Sequence, residues 1–135
     1  MSVIVTDTGF ATDGWNEAFT PLADATDTTE VLDVPSDTDP NSLKDRLGSL
    51  RMVRVDFPSF ADGRGFTIAR QLRLMGYDGR LRARGHVIAD QYAMARRSGF
   101  DEVEISDELA ERQPEDQWLF RADWNAHDYQ SRLRG

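Results

Sequence analysis

The feature that most constrains the fold is an alternation of strand-like and helical patterns between residues 51 and 112. Short apolar runs are separated from amphipathic helical stretches by turns rich in glycine and aspartate, such as Asp62-Gly63 and Asp78-Gly79. Helical crossovers of this length allow consecutive strands to lie parallel in one sheet, joined by right-handed connections. The sequence therefore predicts an α/β fold: a single domain with a small, mostly parallel sheet built from βαβ units and flanked by helices.

Three strands and three helices are predicted in this core, residues 51–112. The strands are expected at 52–57, 80–84 and 103–105, and the helices at 65–75, 87–98 and from Ser106 onward. Gly76 and Gly99 are typical stop signals for the first two helices, and Ser106 is a good N-cap for the third.

The segments on either side of the core differ from it in composition. Residues 1–50 are acidic, with weak strand patterns and one short helix, and we expect them to pack on the core or to form a mobile arm. Trp15 and Phe19 would anchor this segment. Residues 113–135 form an aromatic tail that either covers the core or binds a partner or a second copy of the chain. The aromatic residues of the tail are Trp118, Phe120, Trp124 and Tyr129.

Composition excludes several classes of function. The chain has no cysteine, which rules out disulfides, thiolate nucleophiles, iron–sulfur clusters and Cys-based zinc sites. With only His86 and His127, a His-built metal site is not expected, and no cofactor motif is present. A net charge of −8 argues against nucleic acid as a partner. No apolar run suits a membrane span or a signal peptide, so we expect a cytoplasmic protein.

The candidate ligand site lies at the carboxyl ends of the predicted parallel strands, where α/β sheets bind their ligands. The candidate binding residues are Asp56, Asp62, Gly63, Arg64, Arg82, Arg84 and Asp90. The helix start beside Arg64 could hold a sulfate, a phosphate or a carboxylate. Alternatively, Asp62 caps that helix in a structural turn whose glycines have positive φ.

Spacing predicts two further interactions. His86 and Asp90 are four residues apart at a helix start, so they could form an acid–base pair or a plain surface pair. Arg82 and Arg84 alternate onto one face of their strand. If helices flank that face it is buried, and at least one arginine should pair with a carboxylate such as Asp56.

The stretch from residue 58 to residue 100 resembles the bacterial family called domain of unknown function 934. The matching residues are Pro58, Phe60, Asp62, Gly63, Arg64, Gly65, Leu72, Arg73, Leu81, Arg82, Ala83, Gly85, Asp90, Gln91, Gly99 and Phe100. Tyr129-Gln130 also fits the usual ending of the family. His86 departs from the pattern, because members commonly have an acidic residue at that position.

The resemblance implies a part in assimilatory sulfite reduction, because such proteins are usually encoded beside reductase genes of that pathway. The sequence carries no catalytic motif of its own, so whether the protein is an enzyme stays open. One hypothesis is an accessory protein that docks to a sulfite reductase or another sulfur-assimilation protein. The alternative is a domain that binds or transforms a small anion such as sulfite, sulfate or phosphate. A third possibility is an inactive remnant of an α/β barrel enzyme, with its charged cluster fully paired internally.

Overall fold

One sheet of seven strands runs through the part of the chain that the structure describes, residues 2–124 of a computed structural model. The strands are β1 (Ser2–Thr6), β2 (Gly9–Thr12), β3 (Thr20–Pro21), β4 (Val31–Val34), β5 (Met52–Phe57), β6 (Arg80–Gly85) and β7 (Glu102–Ser106). Their order is β2-β1-β7-β6-β5-β4-β3. Strands β3 to β7 are parallel, and β1 pairs antiparallel with β7 and with β2. The predicted α/β domain with a mostly parallel sheet is confirmed.

Helices connect the parallel strands. The α-helices are α1 (Arg64–Leu74), α2 (Tyr92–Ser98), α3 (Asp107–Arg112) and α4 (Glu115–Leu119), and 3₁₀ helices lie at Leu22–Asp24, Pro40–Ser49 and Ala89–Gln91. The Ser106 cap is confirmed, because its hydroxyl accepts a hydrogen bond from the Leu109 amide at 3.1 Å. The second predicted helix starts later than expected, at Tyr92. The backbone before it forms a 3₁₀ turn that the Gln91 side chain caps by accepting from the Ile88 amide.

The hydrophobic core lies on one face of the sheet. Strand register places Leu32, Val53 and Leu81 in one row, and alternate residues along each strand continue this face. These side chains form one cluster with buried residues of α1 to α4, including Leu72 and Trp118. All four α-helices therefore pack on the same side of the sheet.

The opposite face, here called the helix-free face, carries the charged side chains of β4 to β7. One row across it contains Asp33, Arg54, Arg82 and Glu102, and the next contains Asp56, Arg84 and Glu104. Strands β2 and β3 are at opposite edges of the sheet, and residues 13–19 between them, here called the strap, cross this face, where Asp13 contacts Arg82 and Phe19 contacts Arg54. Seven strands span about 29 Å at their usual spacing, and the eight backbone steps from Thr12 to Thr20 reach about 26–29 Å. The strap is therefore only just long enough to span the width of the sheet.

None of the helices within residues 2–124 is long and apolar enough to cross a membrane.

Candidate functional site

A network of ion pairs occupies the middle of the helix-free face. The Arg82 side chain is only 1% exposed and contacts Glu102 at 2.5 Å and Glu104 at 3.0 Å. Both terminal nitrogens of Arg82 also donate to Asp13 of the strap, at 3.0 and 3.1 Å. The next arginine on this face, Arg54, contacts Glu104 at 3.0 Å and also has a carboxylate partner on β4.

The strap closes over these arginines with its aromatic rings. The Phe19 ring lies 3.7 Å from the guanidinium carbon of Arg54, and the Trp15 ring lies 5.6 Å from that of Arg80. Both distances are within the range of cation–π attraction. The expectation that Trp15 and Phe19 anchor the N-terminal segment is confirmed, and the surface they anchor to is arginine rather than apolar core.

Asp13 is the strap residue that contacts the buried Arg82. Burial by itself raises the pKa of Asp13, but hydrogen bonds from Arg82 and from the Trp15 amide, together with the nearby positive charges of Arg82 and Arg54, outweigh that effect and hold the pKa below its ordinary value. The Asp13 carboxylate is therefore charged at neutral pH and serves as a partner for Arg82.

The prediction that at least one of the strand arginines pairs with a carboxylate is confirmed by Arg82, although its partners are Glu102, Glu104 and Asp13 and not Asp56, the example named. Register explains why: Arg82 stands beside Glu102 and Arg54, whereas Asp56 stands beside Arg84. The strap, rather than a helix, buries Arg82. Arg84 lies past the strap and keeps half of its side-chain surface exposed.

Two clefts open at the carboxyl ends of the strands, and Asp56 and Arg84 line both of them. The first, here called the apolar cleft, has a volume of about 500 Å³. Its other walls include Pro21, Leu22, Ala23, Val34 and Pro35. The second, here called the polar cleft, has a volume of about 460 Å³. Its other walls include Ser2, His86, Glu104 and Ser106.

The two charged side chains of the turn before α1 pair with each other. Asp62 accepts from the Arg64 amide at 3.1 Å and from the Arg64 guanidinium at 2.8 Å, and Arg64 also donates to Ser36 at 2.9 Å. These hydrogen bonds from Arg64 hold the pKa of Asp62 well below its ordinary value. The Asp62 carboxylate thus takes the place that an external anion would need.

The glycines of this turn do not have the positive φ that a structural turn was expected to require. Gly63 has a φ of −92°, and Gly65 lies inside α1. A Cβ on Gly65 would stand 2.4 Å from the Phe57 ring, so close packing of α1 on β5 is what requires this glycine.

The predicted pair of His86 and Asp90 does not form. The Nδ1 atom of His86 lies 3.2 Å from the Phe57 carbonyl oxygen, while Asp90 accepts from Arg121 at 2.9 Å. Of the seven predicted binding residues, Asp56 and Arg84 lie together in the two strand-end clefts, and the other five line neither of these two clefts. The third possibility, a barrel remnant whose charged cluster is fully paired internally, does not fit. No ion pair joins these two residues in the described part of the chain.

The aromatic residues of the tail differ in burial, and the prediction that the tail covers the core is confirmed for Trp118. Trp118 is buried in the core, whereas Phe120 is 75% exposed. Together with Met94, Leu119 and Trp124, Phe120 lines a groove of about 860 Å³ on α2 and α4, here called the α2–α4 groove. Tyr129 lies outside the described residues.

Sequence reasoning missed the acidic half of the network and the cleft walls. Glu102 and Glu104 alternate along β7 in the same way that the arginines alternate along β6, and this matching of opposite charges was the available signal. The cleft walls from Pro21 to Ala23 carried no such signal. Among residues 2–124, no three histidine, cysteine or acidic side chains come together as a metal site would require.

Comparison with known proteins gives one match. A family model described as "Bacterial protein of unknown function (DUF934)" matches residues 31–135. No curated protein and no solved structure matches the chain. The matched region contains β4 to β7 and all four α-helices, while β1 to β3 and the strap precede it. Since the match covers well over half of the sequence, the chain belongs to the bacterial DUF934 family.

Proposed function

We propose that the protein is an accessory protein of assimilatory sulfite reduction, which docks to a sulfite reductase or a related sulfur-assimilation protein. The pathway comes from the resemblance described above. The observation that supports docking is the α2–α4 groove, where a large aromatic side chain, Phe120, is mostly exposed. Contiguous exposed apolar surface on a small domain commonly marks a protein interaction site.

The groove has the composition of an interface. Its centre is apolar, with Met94, Leu119 and Phe120 exposed to solvent. Its rim is charged and already ordered, because Arg121 pairs with Asp90 and Arg97 donates to the Trp124 carbonyl oxygen. An aromatic centre with an arginine-containing rim is where binding energy concentrates in protein complexes.

A site for a simple anion is less well supported. Arg64 and Arg82, two of the arginines proposed for that role, are occupied by carboxylates of the chain itself. Arg84 has only one long contact, from its Nε to Glu104 at 3.5 Å, but an anion beside it would face both Asp56 and Glu104. Repulsion from these carboxylates would weaken the binding of sulfite, sulfate or phosphate.

The test is binding of the purified protein to the sulfite reductase haemoprotein of the same bacterium, measured by biolayer interferometry. We expect Phe120→Ser to weaken binding at least tenfold, because loss of a central aromatic anchor costs about 2 kcal/mol or more and about 1.4 kcal/mol corresponds to a factor of ten. Leu74→Ser is the matched control: Leu74 is 76% exposed, on α1, and does not line the groove. Equal binding by the Phe120→Ser and wild-type proteins would contradict docking through this groove. Failure of the wild-type protein to bind any sulfur-assimilation enzyme would contradict the function.

A further inference from the structure

Two oppositely charged side chains form the wall between the apolar and polar clefts without neutralising each other. Asp56 and Arg84 are register partners on adjacent parallel strands. The only ion pair of Arg84 within residues 2–124 is with Glu104, from the Arg84 Nε at 3.5 Å, and neither terminal nitrogen of Arg84 donates a hydrogen bond to these residues. Asp56 has no hydrogen-bond or ion-pair partner among the same residues.

This pair differs from its neighbours on the helix-free face. Arg54, Arg80 and Arg82 each contact a carboxylate within 3.0 Å, and the strap stacks over all three. The strap makes no such contact with Arg84. Within residues 2–124, the chain therefore covers the amino-terminal half of the helix-free face and does not cover the carboxyl-terminal half, where parallel sheets bind ligands.

The charges select the class of ligand. A ligand with a single negative charge would gain from Arg84 but would be repelled by Asp56 and Glu104, and a ligand with a single positive charge would gain from these carboxylates but would be repelled by Arg84 and leave its terminal nitrogens unbound. A small molecule with a carboxylate and an ammonium group a few ångströms apart satisfies both side chains. We infer that Asp56 and Arg84 bind an α-amino acid, with the ligand carboxylate on the Arg84 terminal nitrogens and the ligand ammonium on Asp56. An arginine can hold a carboxylate through two parallel hydrogen bonds.

The apolar cleft determines the kind of amino acid. It opens directly from the Asp56 and Arg84 wall and is bounded by Leu22, Val34 and Pro35. Its volume of about 500 Å³ is within the usual range for sites that bind small molecules. The ligand side chain is therefore apolar. The site lies on the opposite side of the sheet from the α2–α4 groove, so it does not depend on the docking proposal.

The experiment compares four probes by isothermal titration calorimetry with the full chain. The probes are L-leucine, 3-methylbutylamine, which lacks the carboxylate, 4-methylpentanoate, which lacks the ammonium group, and sodium sulfite. We expect saturable binding of L-leucine and at least tenfold weaker binding of the other three. Absence of saturable leucine binding would overturn the inference. Binding of 4-methylpentanoate or sulfite as tight as that of leucine would also overturn it, because the site would then be a plain anion site.

Three variants locate the binding. Asp56→Asn and Arg84→Met should each lower the leucine affinity at least tenfold while leaving the melting temperature close to that of the wild-type protein, since neither residue has a close partner in the fold. Arg70→Met is the matched control, an exposed arginine on α1. The assignment is wrong if Arg84→Met leaves the leucine affinity unchanged, or if Arg70→Met lowers it as much.

Discussion

Gly65 shows how one residue controls the distance between a helix and the sheet. A Cβ at this position would stand 2.4 Å from the Phe57 ring. That ring cannot easily move, because it is buried between Phe66, at 4.9 Å between ring centroids, and Phe100, at 5.8 Å. The position tolerates no side chain unless α1 moves away from β5.

We therefore expect Gly65→Ala to lower the free energy of unfolding by about 1–3 kcal/mol, the usual cost of overpacking a core. Urea denaturation followed by circular dichroism measures this change. Gly48→Ala is the control, because a Cβ there meets no atom within 4 Å, and it should leave stability unchanged or slightly higher. Equal destabilisation by the two substitutions would show that helix–strand contact is not the reason for the glycine.

Single residues also show which contacts could not be predicted from the sequence. The alternation of Arg82 and Arg84 along one strand predicts that they share a face, and they do. Their partners depend on how β6 is aligned with β5 and β7, and neither strand alone specifies that register. A shift of two residues would have placed Asp56 beside Arg82 instead of Arg84. The clefts were predictable only as a location at the strand ends.

Among the elements, the strap is the one that the sequence described least. Elements with a clear period, such as β5 and α1, could be predicted to within a residue or so. The strap has no period, because it crosses the strands and is held by side chains rather than by a ladder of backbone hydrogen bonds. Strands β2 and β3, of four and two residues, are too short to give a pattern.

The strap also makes stability depend on pH. The pKa of Asp13 in the folded protein lies below its ordinary value of 3.8. The contribution of Asp13 is thus complete above pH 4 or so and is lost as the pH falls through the lower folded-state pKa. We expect Asp13→Asn to lower the free energy of unfolding by about 1 kcal/mol at pH 7, since Asp13 is partly exposed.

Urea denaturation at pH 7 and near pH 3 tests this expectation. The difference between the wild-type and Asp13→Asn proteins should shrink at the lower pH. Asp27→Asn, in an exposed turn of the same N-terminal segment, should change stability little at either pH. A difference for Asp13→Asn that stays constant with pH would show that the Asp13 charge does not hold the strap.

The whole molecule is a sheet with two unlike faces. One face buries apolar side chains under four α-helices, and the other carries arginines and carboxylates under a single strap. The βαβ pattern predicts the first face, because successive right-handed crossovers between neighbouring strands place their helices on the same side. The pattern says nothing about what covers the second face, and in this chain the cover comes from residues that precede the region matched by the family model.

The contribution of the ion pairs on the helix-free face to stability can be tested with two arginines on the same strand. Removing a buried charge leaves its partners uncompensated, which costs about 3–5 kcal/mol. Arg82 is buried among Glu102, Glu104 and Asp13, so Arg82→Met should approach this loss or prevent cooperative folding. Arg84→Met removes the same charge from a half-exposed position with one long contact, and we expect a change within about 0.5 kcal/mol. Urea denaturation measures both. Equal transitions would mean that the network does not stabilise the fold, whereas a large difference would show that the fold depends on Arg82 and not on Arg84.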